Sequence, residues 1–117
     1  MELRIRDGDY VCDGIGGLER VRGEEELVQR VRYRLCARRG AFPFAPTLGS
    51  NLHLLWRERP SARLAAARLY VAEALAEERE IRVTDVSLRQ EGDVLYLHVE
   101  LAYEDRSADV ALRLEGE

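Results

Sequence analysis

The sequence predicts an α+β fold in which a small antiparallel or mixed β-sheet packs against about three helices. Two stretches, 24–39 and 60–79, repeat apolar residues every three or four positions, as amphipathic helices do. After Glu80 the apolar period changes to two, which is typical of strands with one buried face. The 117 residues show no internal repeat and no low-complexity linker. We therefore expect a single domain over residues 1–117.

The composition is that of a folded, acidic protein. Apolar residues make up 46%, charged residues 34%, and the net charge is −4. We therefore expect neither a nucleic-acid surface nor binding to an anionic membrane. The opening MELRIRDGDY is charged throughout, unlike a signal peptide, and no apolar run approaches the roughly 18 residues of a membrane helix. All 18 basic residues are arginine, which fits either a GC-rich genome or an arginine-rich interface.

The N-terminal third predicts a short strand, a turn-rich segment and a helix. Residues 2–6 alternate as a strand does, and four glycines in 7–20 favour turns or an irregular hairpin. The helix 24–39 has glutamates in its first turn and arginines in its last, which suits the helix dipole. Gly40 follows where a left-handed residue commonly ends a helix. The apolar face of this helix comprises Leu27, Val28, Val31 and Leu35.

Two further helices are predicted, of which the second is the central one. Ser50 is a suitable N-cap for a short helix that carries Leu52, Leu55 and Trp56. Pro60 can open the helix 60–79, because its missing N–H costs nothing at the first position. Two apolar stripes cover a wide arc of this helix, so we expect close packing on two sides. They are Leu64, Ala67, Val71, Ala74 and Leu75, and beside them Ala62, Ala65, Ala66, Leu69, Ala72 and Ala76.

Three antiparallel strands are predicted to follow. Ile81 and Val83 share one parity and Val86 and Leu88 the other, which predicts a bulge near Asp85. Turns are expected at 91–93 and 104–107. The alternating apolar residues of the last two strands are Leu95, Leu97, Val99, Leu101 and Tyr103, then Val110, Leu112 and Leu114.

The residues give no indication of an enzyme. Cys12 and Cys36 form no CxxC motif, and His53 and His98 are isolated, so a zinc site has no local ligand pair. We expect both cysteines to be buried thiols that the function does not require. The acidic residues fit solvated faces such as helix starts, turns and the helix end at Glu77, Glu78 and Glu80. We therefore expect no catalytic residue, no cofactor and no metal.

An ordered set of short motifs runs from about residue 11 to about residue 114. It begins with a helix bearing a Leu-x-Gln-x-Val core and ending near a glycine. A proline-containing loop that closes on Gly-Ser-x-Leu follows, and then a strand of the pattern Ile-x-Val-x-x-Val-x-Leu. The residues are Leu27, Gln29, Val31, Gly40, Pro46, Gly49, Ser50, Leu52, Ile81, Val83, Val86 and Leu88. In this order the motifs resemble the GPW-type phage baseplate wedge family, historically called tail lysozymes.

One departure from the family pattern concerns a possible contact site. Where the family usually has Glu-Pro-Arg before the sheet, this chain has Glu78, Arg79 and Glu80; if the segment docks a partner, Arg82 would stand in for the displaced arginine. This charged segment is either a solvated exit turn or a corner that docks a partner. On a strand, Arg82 should point away from Ile81 towards solvent or a partner.

The resemblance implies a structural, non-enzymatic component of a contractile phage tail, or a phage-tail-like particle, that oligomerises within the baseplate. Its implied partners are other tail and baseplate proteins, with sheath subunits as further candidates. It would reside in the bacterial cytoplasm during assembly and afterwards in the tail baseplate. Phe42 and Phe44 would either fill the core or face a neighbouring subunit. The alternatives are a peptidoglycan-cleaving tail lysozyme and an unrelated small α+β binding module.

Overall fold

The protein is built on a five-stranded mixed sheet. The computed structural model describes residues 5–6, 9–11 and 24–115. The strands are β1 (Ile5–Arg6), β2 (Asp9–Val11), β3 (Ile81–Glu91), β4 (Val94–Tyr103) and β5 (Arg106–Glu115). Their order across the sheet is β1-β2-β5-β4-β3, with β2 parallel to β5 and the other neighbours antiparallel.

Helices cover one face of this sheet. They are α1 (Glu24–Cys36), α2 (Arg63–Ala74) and two short 3-10 helices, Leu52–Arg57 and Pro60–Ala62. α1 packs over β5 and α2 over β3. The core between the layers includes Val31, Leu35, Leu55, Ala67, Val71, Leu97, Val99, Leu101, Val110 and Leu112. The predicted α+β class is confirmed. In the described ranges, no helix is both long and apolar enough to span a membrane.

The three predicted antiparallel strands are confirmed as β3, β4 and β5, although the second turn is shorter than the predicted 104–107. β3, β4 and β5 form two hairpins joined by the tight turns 92–93 and 104–105. Gly92 and Glu104 take φ angles of 60° and 51°, as tight hairpin turns require. The β3–β4 register shifts between Val83 and Asp85, where the change of parity predicts a bulge. At the N-terminus, β1 falls within the predicted strand, and β2 pairs with it as a hairpin.

α1 is shorter than predicted and ends at Cys36. The Ser50 hydroxyl donates a hydrogen bond to the Leu35 carbonyl at this end of the helix. Beyond the end, Arg38 pairs with Ser50 in a parallel bridge, so the chain is extended where the prediction had helix. Gly40 has the expected positive φ of 88°, but it lies in the following loop and does not cap the helix.

α2 likewise ends early, at Ala74 and not near residue 79. The Glu78 amide donates to the Leu75 carbonyl (3.0 Å), and the Ile81 amide donates to the Glu78 carbonyl (3.1 Å). These tight turns replace the predicted last helical turn and leave the Glu78 side chain buried.

α2 buries one face and not two. Ala67, Val71 and Ala74 are buried against the core. The second, alanine-rich stripe is mostly exposed, and its Leu69 is 58% exposed. The predicted packing on two sides is therefore wrong, because the described layers contact this helix only from the sheet side and its edge.

Candidate functional site

The proline-containing loop after α1 is closed at its base by backbone hydrogen bonds. The Arg39 amide donates to the Ser50 carbonyl (3.0 Å), and the Ser50 amide donates to the Ala37 carbonyl (2.8 Å). The buried Ser50 hydroxyl bonds the Leu35 carbonyl and accepts from the Leu52 amide (3.2 Å). One serine thus joins the end of α1 to the start of the first 3-10 helix.

Gly49 permits this closure. Its φ is 100°, a left-handed conformation that favours glycine. A Cβ at this position would lie 2.6 Å from the Ala37 carbonyl oxygen and 2.9 Å from backbone atoms of Arg38 and Arg39. The Gly-Ser pair of the sequence motif therefore has a physical role: Gly49 allows the close approach, and Ser50 supplies the hydroxyl.

The closed loop presents its two aromatic rings to solvent. Phe44 is fully exposed, with a relative accessibility of 101%, and Phe42 is 38% exposed. Two turns order the loop between its anchored ends, since the Ala45 amide donates to the Phe42 carbonyl and the Leu48 amide to the Ala45 carbonyl, both at 3.1 Å. The alternative in which both rings fill the core is therefore wrong.

The loop lies against the C-terminal end of α2. Arg39 donates from Nη2 to the Glu73 carbonyl (2.9 Å), and the Thr47 hydroxyl donates to the Glu77 carboxylate (3.4 Å). The loop is thus a neighbour of the charged segment 78–82, although some thirty residues separate them in sequence. These contacts tie the loop to α2 just before that segment begins.

Within that charged segment, Glu78 is a structural residue. It is only 8% exposed, and both carboxylate oxygens meet guanidinium groups of α1. Arg30 Nη2 lies 3.0 Å from Oε1, and Arg34 Nε lies 2.8 Å from Oε2. The exposed Glu80 also binds Arg30, at 3.1 Å. The expectation of a solvated carboxylate is wrong for Glu78, which joins the α2–β3 junction to α1.

Arg79 and Arg82 are the exposed cations of the same segment, and neither side chain forms an ion pair or hydrogen bond with a described residue. Arg82 is exposed while Ile81 beside it is buried, as the strand alternation predicts. Of the four charged residues in the segment, these two arginines are available for a partner. The partner contact itself stays a prediction.

The structure changes the expectation for one of the two cysteines. Cys36 is disulfide-bonded, so the prediction of a free buried thiol is wrong for this residue. The other cysteine of the sequence, Cys12, lies outside the described residues. Sequence spacing carried no signal for this bond, because two cysteines far apart in a chain have no diagnostic motif.

The histidines lie on separate elements. Burial and the nearby Arg38 lower the pKa of His53, on the first 3-10 helix, below its ordinary value. His98, on β4, has Nε2 3.5 Å from Oδ1 of Asp109. Among the residues that the structure describes, no three His, Cys, Asp or Glu side chains are grouped as a metal site would require.

Sequence reasoning missed Arg30 and Arg34, the partners of Glu78. A signal was present, since two arginines four residues apart project from the same helix face. The run at 77–80 is the only cluster of acidic residues near the end of the predicted central helix. Pairing the two required knowing that α1 crosses this end of α2.

No protein-family model and no curated protein matches this sequence. A similar fold occurs in the crystal structure of a candidate tail lysozyme from Geobacter sulfurreducens. The two share a TM-score of 0.70 at 18% identity, over 86% of this chain and 97% of that chain. At this identity the likeness shows a common fold alone, and membership of the GPW-type family remains a prediction.

Proposed function

We propose that this protein is a non-enzymatic structural component of a contractile phage tail, or of a phage-tail-like particle, and acts in the baseplate. The observation that carries the proposal is the fully exposed Phe44 on a loop fixed at both ends. The fold shared with a candidate tail lysozyme supports a tail-associated role. Its partners would be other baseplate proteins, with sheath subunits as further candidates.

The contact surface we assign to these partners is a docking corner formed by Phe42, Phe44, Arg79 and Arg82. An exposed aromatic ring offers about 150–250 Å² of surface to bury. Because the loop is already ordered, binding through Phe44 would cost little further backbone entropy. Arginines and aromatic residues are also the side chains most enriched among those that dominate binding energy.

A second feature supports assembly through this region. β3 is the terminal strand of the described sheet, and Arg82 stands near its start. An edge strand offers backbone N–H and C=O groups to a partner strand. The bulge between Val83 and Asp85 interrupts the edge, so a partner strand would pair more readily with the regular stretch after it.

The alternative function, peptidoglycan cleavage, is favoured only by the name of the similar structure. Glycosidases use two carboxylates across a cleft, and the general acid lies in an apolar pocket. Glu78, the buried carboxylate of the described residues, lies instead between Arg30 and Arg34. This setting supports a structural role over an acid catalyst.

Incorporation into particles tests the docking corner. Phe44→Ser and the double variant Arg79→Glu/Arg82→Glu should each fold normally, because the changed side chains are exposed. Loss of an anchor worth about 2 kcal/mol should lower the amount of tagged protein in purified particles roughly thirtyfold. The matched control is Arg57→Glu/Arg59→Glu, which makes the same charge change at exposed residues before α2. Wild-type incorporation of both docking variants would refute the assignment.

An activity assay separates the structural role from the alternative. The purified protein should not cleave peptidoglycan between about pH 4 and about pH 8, the range in which carboxylate catalysts work. Turnover that a single Asp or Glu substitution abolishes would contradict a structural, non-enzymatic role.

A further inference from the structure

The sheet face opposite the helices carries its side chains in cross-strand rows of distinct charge. Neighbouring residues in the β3–β4–β5 register define an acidic row, a central row and a basic row. In that order the rows are Asp85, Glu100 and Asp109; Ser87, His98 and Ala111; and Arg89, Tyr96 and Arg113. All lie at the strand positions that alternate with the buried core residues.

The acidic row is unfavourable within one molecule. Asp85 pairs with Glu100 in register and Glu100 with Asp109, so carboxylates stand directly opposite each other on adjacent strands. Like charges in this position are destabilising. All three are exposed, and Nε2 of His98 lies 3.5 Å from Oδ1 of Asp109. A cationic surface from outside the molecule would complement this row.

The basic row offers such a surface. The guanidinium carbon of Arg89 lies 4.4 Å from the Tyr96 ring centroid, and that of Arg113 lies 5.5 Å away. Stacking on the ring fixes both cations close to the sheet. Arg89 also contacts Glu91, which leaves the rest of its guanidinium edge facing solvent, since the side chain is 64% exposed.

The spacing of the rows makes the face complementary to itself. Each charged row lies two residues from the central row, or about 7 Å along the strands. Consider a second copy stacked face to face on the first and related to it by a 180° rotation. If the rotation axis runs across the strands, parallel to the central row, the basic row of the second copy lies over the acidic row of the first. Strand order is kept in this rotation, so Asp85 faces Arg89 of the second copy and Asp109 faces Arg113 of the second copy.

We propose that a second copy of this chain docks on this sheet face and forms a two-fold symmetric dimer. In such a dimer the acidic row of each copy meets the basic row of the other. Every charge pair therefore forms twice, as the two-fold symmetry of a self-complementary contact requires. Three strands over about seven residues cover roughly 300–400 Å² per copy, or about 600–800 Å² in total, which is below the roughly 1,200 Å² of stable specific interfaces. The dimer is accordingly weak and sensitive to salt. The three rows contain no docking-corner residue, although Arg82 stands in the next row of this face, in register with Ala102. The dimer does not depend on the proposed function.

Sedimentation equilibrium of the full chain, with reciprocal charge exchange, tests the pairing. At about 20 mM salt the wild type should dimerise with rising concentration, and at about 500 mM it should shift towards monomer, because the Debye length shortens. Asp85→Arg and Arg89→Asp should each abolish the dimer at low salt. The double variant should restore it, because both pairs return with their charges exchanged. A wild type that stays monomeric at low salt, or a double variant that fails to recover, would overturn the proposal.

Cross-linking tests the geometry independently of charge. The rotation places Ser87 opposite Ser87 of the second copy, whereas two Ser107 residues lie about 28 Å apart along the strands. Ser107 is the matched control, because it is an exposed serine on the same face. A short bis-maleimide should therefore cross-link Ser87→Cys into dimers and leave both Ser107→Cys and the wild type monomeric. Equal cross-linking of the two variants would contradict the two-fold arrangement.

Discussion

Glu78 provides the sharpest test of how the fold is held together. Its carboxylate is 8% exposed and lies between Arg30 at 3.0 Å and Arg34 at 2.8 Å. These contacts join α1 to the junction between α2 and β3. Replacing Glu78 by glutamine preserves the shape of the side chain but removes the charge that both guanidinium groups bind.

The expected loss follows from the exposure of the partners. Removing one member of a fully buried ion pair costs about 3–5 kcal/mol. Arg30 is 39% exposed and Arg34 19%, so water can solvate part of the charge left behind. We therefore expect Glu78→Gln to lower the free energy of unfolding by about 2–3 kcal/mol. For a domain of this size, that corresponds to a fall in Tm of roughly 8–12 °C.

Thermal unfolding measured by circular dichroism and calorimetry would check this value. Glu80→Gln is the matched control, because Glu80 binds the same Arg30 but is 61% exposed. An exposed pair contributes about 0–1 kcal/mol, so the control should change Tm by no more than about 4 °C. Equal effects of the two substitutions would refute the structural role of Glu78. In a double-mutant cycle, Glu78→Gln and Arg34→Gln should show a coupling energy of about 1 kcal/mol or more.

Two further predictions concern the loop and the first 3-10 helix. Gly49→Ala should destabilise the protein by about 3 kcal/mol or more in chemical denaturation, because the new Cβ would meet backbone atoms just beyond the end of α1. Gly40 has a similar positive φ but open space around it, so Gly40→Ala should destabilise the protein by only about 1 kcal/mol. Equal destabilisation by the two substitutions would contradict the clash. The lowered pKa of His53 means that the unfolded chain binds its proton more readily. Stability should therefore fall as the pH drops below about 6.5, and His53→Asn should reduce that dependence; an unchanged pH profile would contradict it.

The strands could be predicted from sequence because their information is local. The parity change between Val83 and Val86 located the bulge, and Gly92 marked one of the hairpin turns. The helix ends could not be located in this way. α1 ends at Cys36 because the chain beyond it pairs with Ser50, and that contact connects residues more than ten positions apart.

In the candidate site, too, local sequence predicts the exposure of some residues and not of others. The exposure of Arg82 follows from strand alternation and was predicted. The burial of Glu78 depends on Arg30, 48 residues away, and no local pattern distinguishes it from the exposed Glu80. Phe44 was ambiguous for a related reason: an aromatic residue in a loop can fill a core or face a partner, and only the tertiary position of the loop decides.

The most direct test of the proposed function is a photo-cross-link at Phe44 in assembled particles. A benzophenone amino acid at this exposed position should become bonded to another tail protein, identified by mass spectrometry, when intact particles are irradiated. The same amino acid at the exposed Arg59 is the control and should give little or no adduct. An adduct with a baseplate or sheath protein at Phe44 alone is the predicted result. Particles that contain the protein but yield no Phe44 adduct with any tail component would contradict a docking role for this loop.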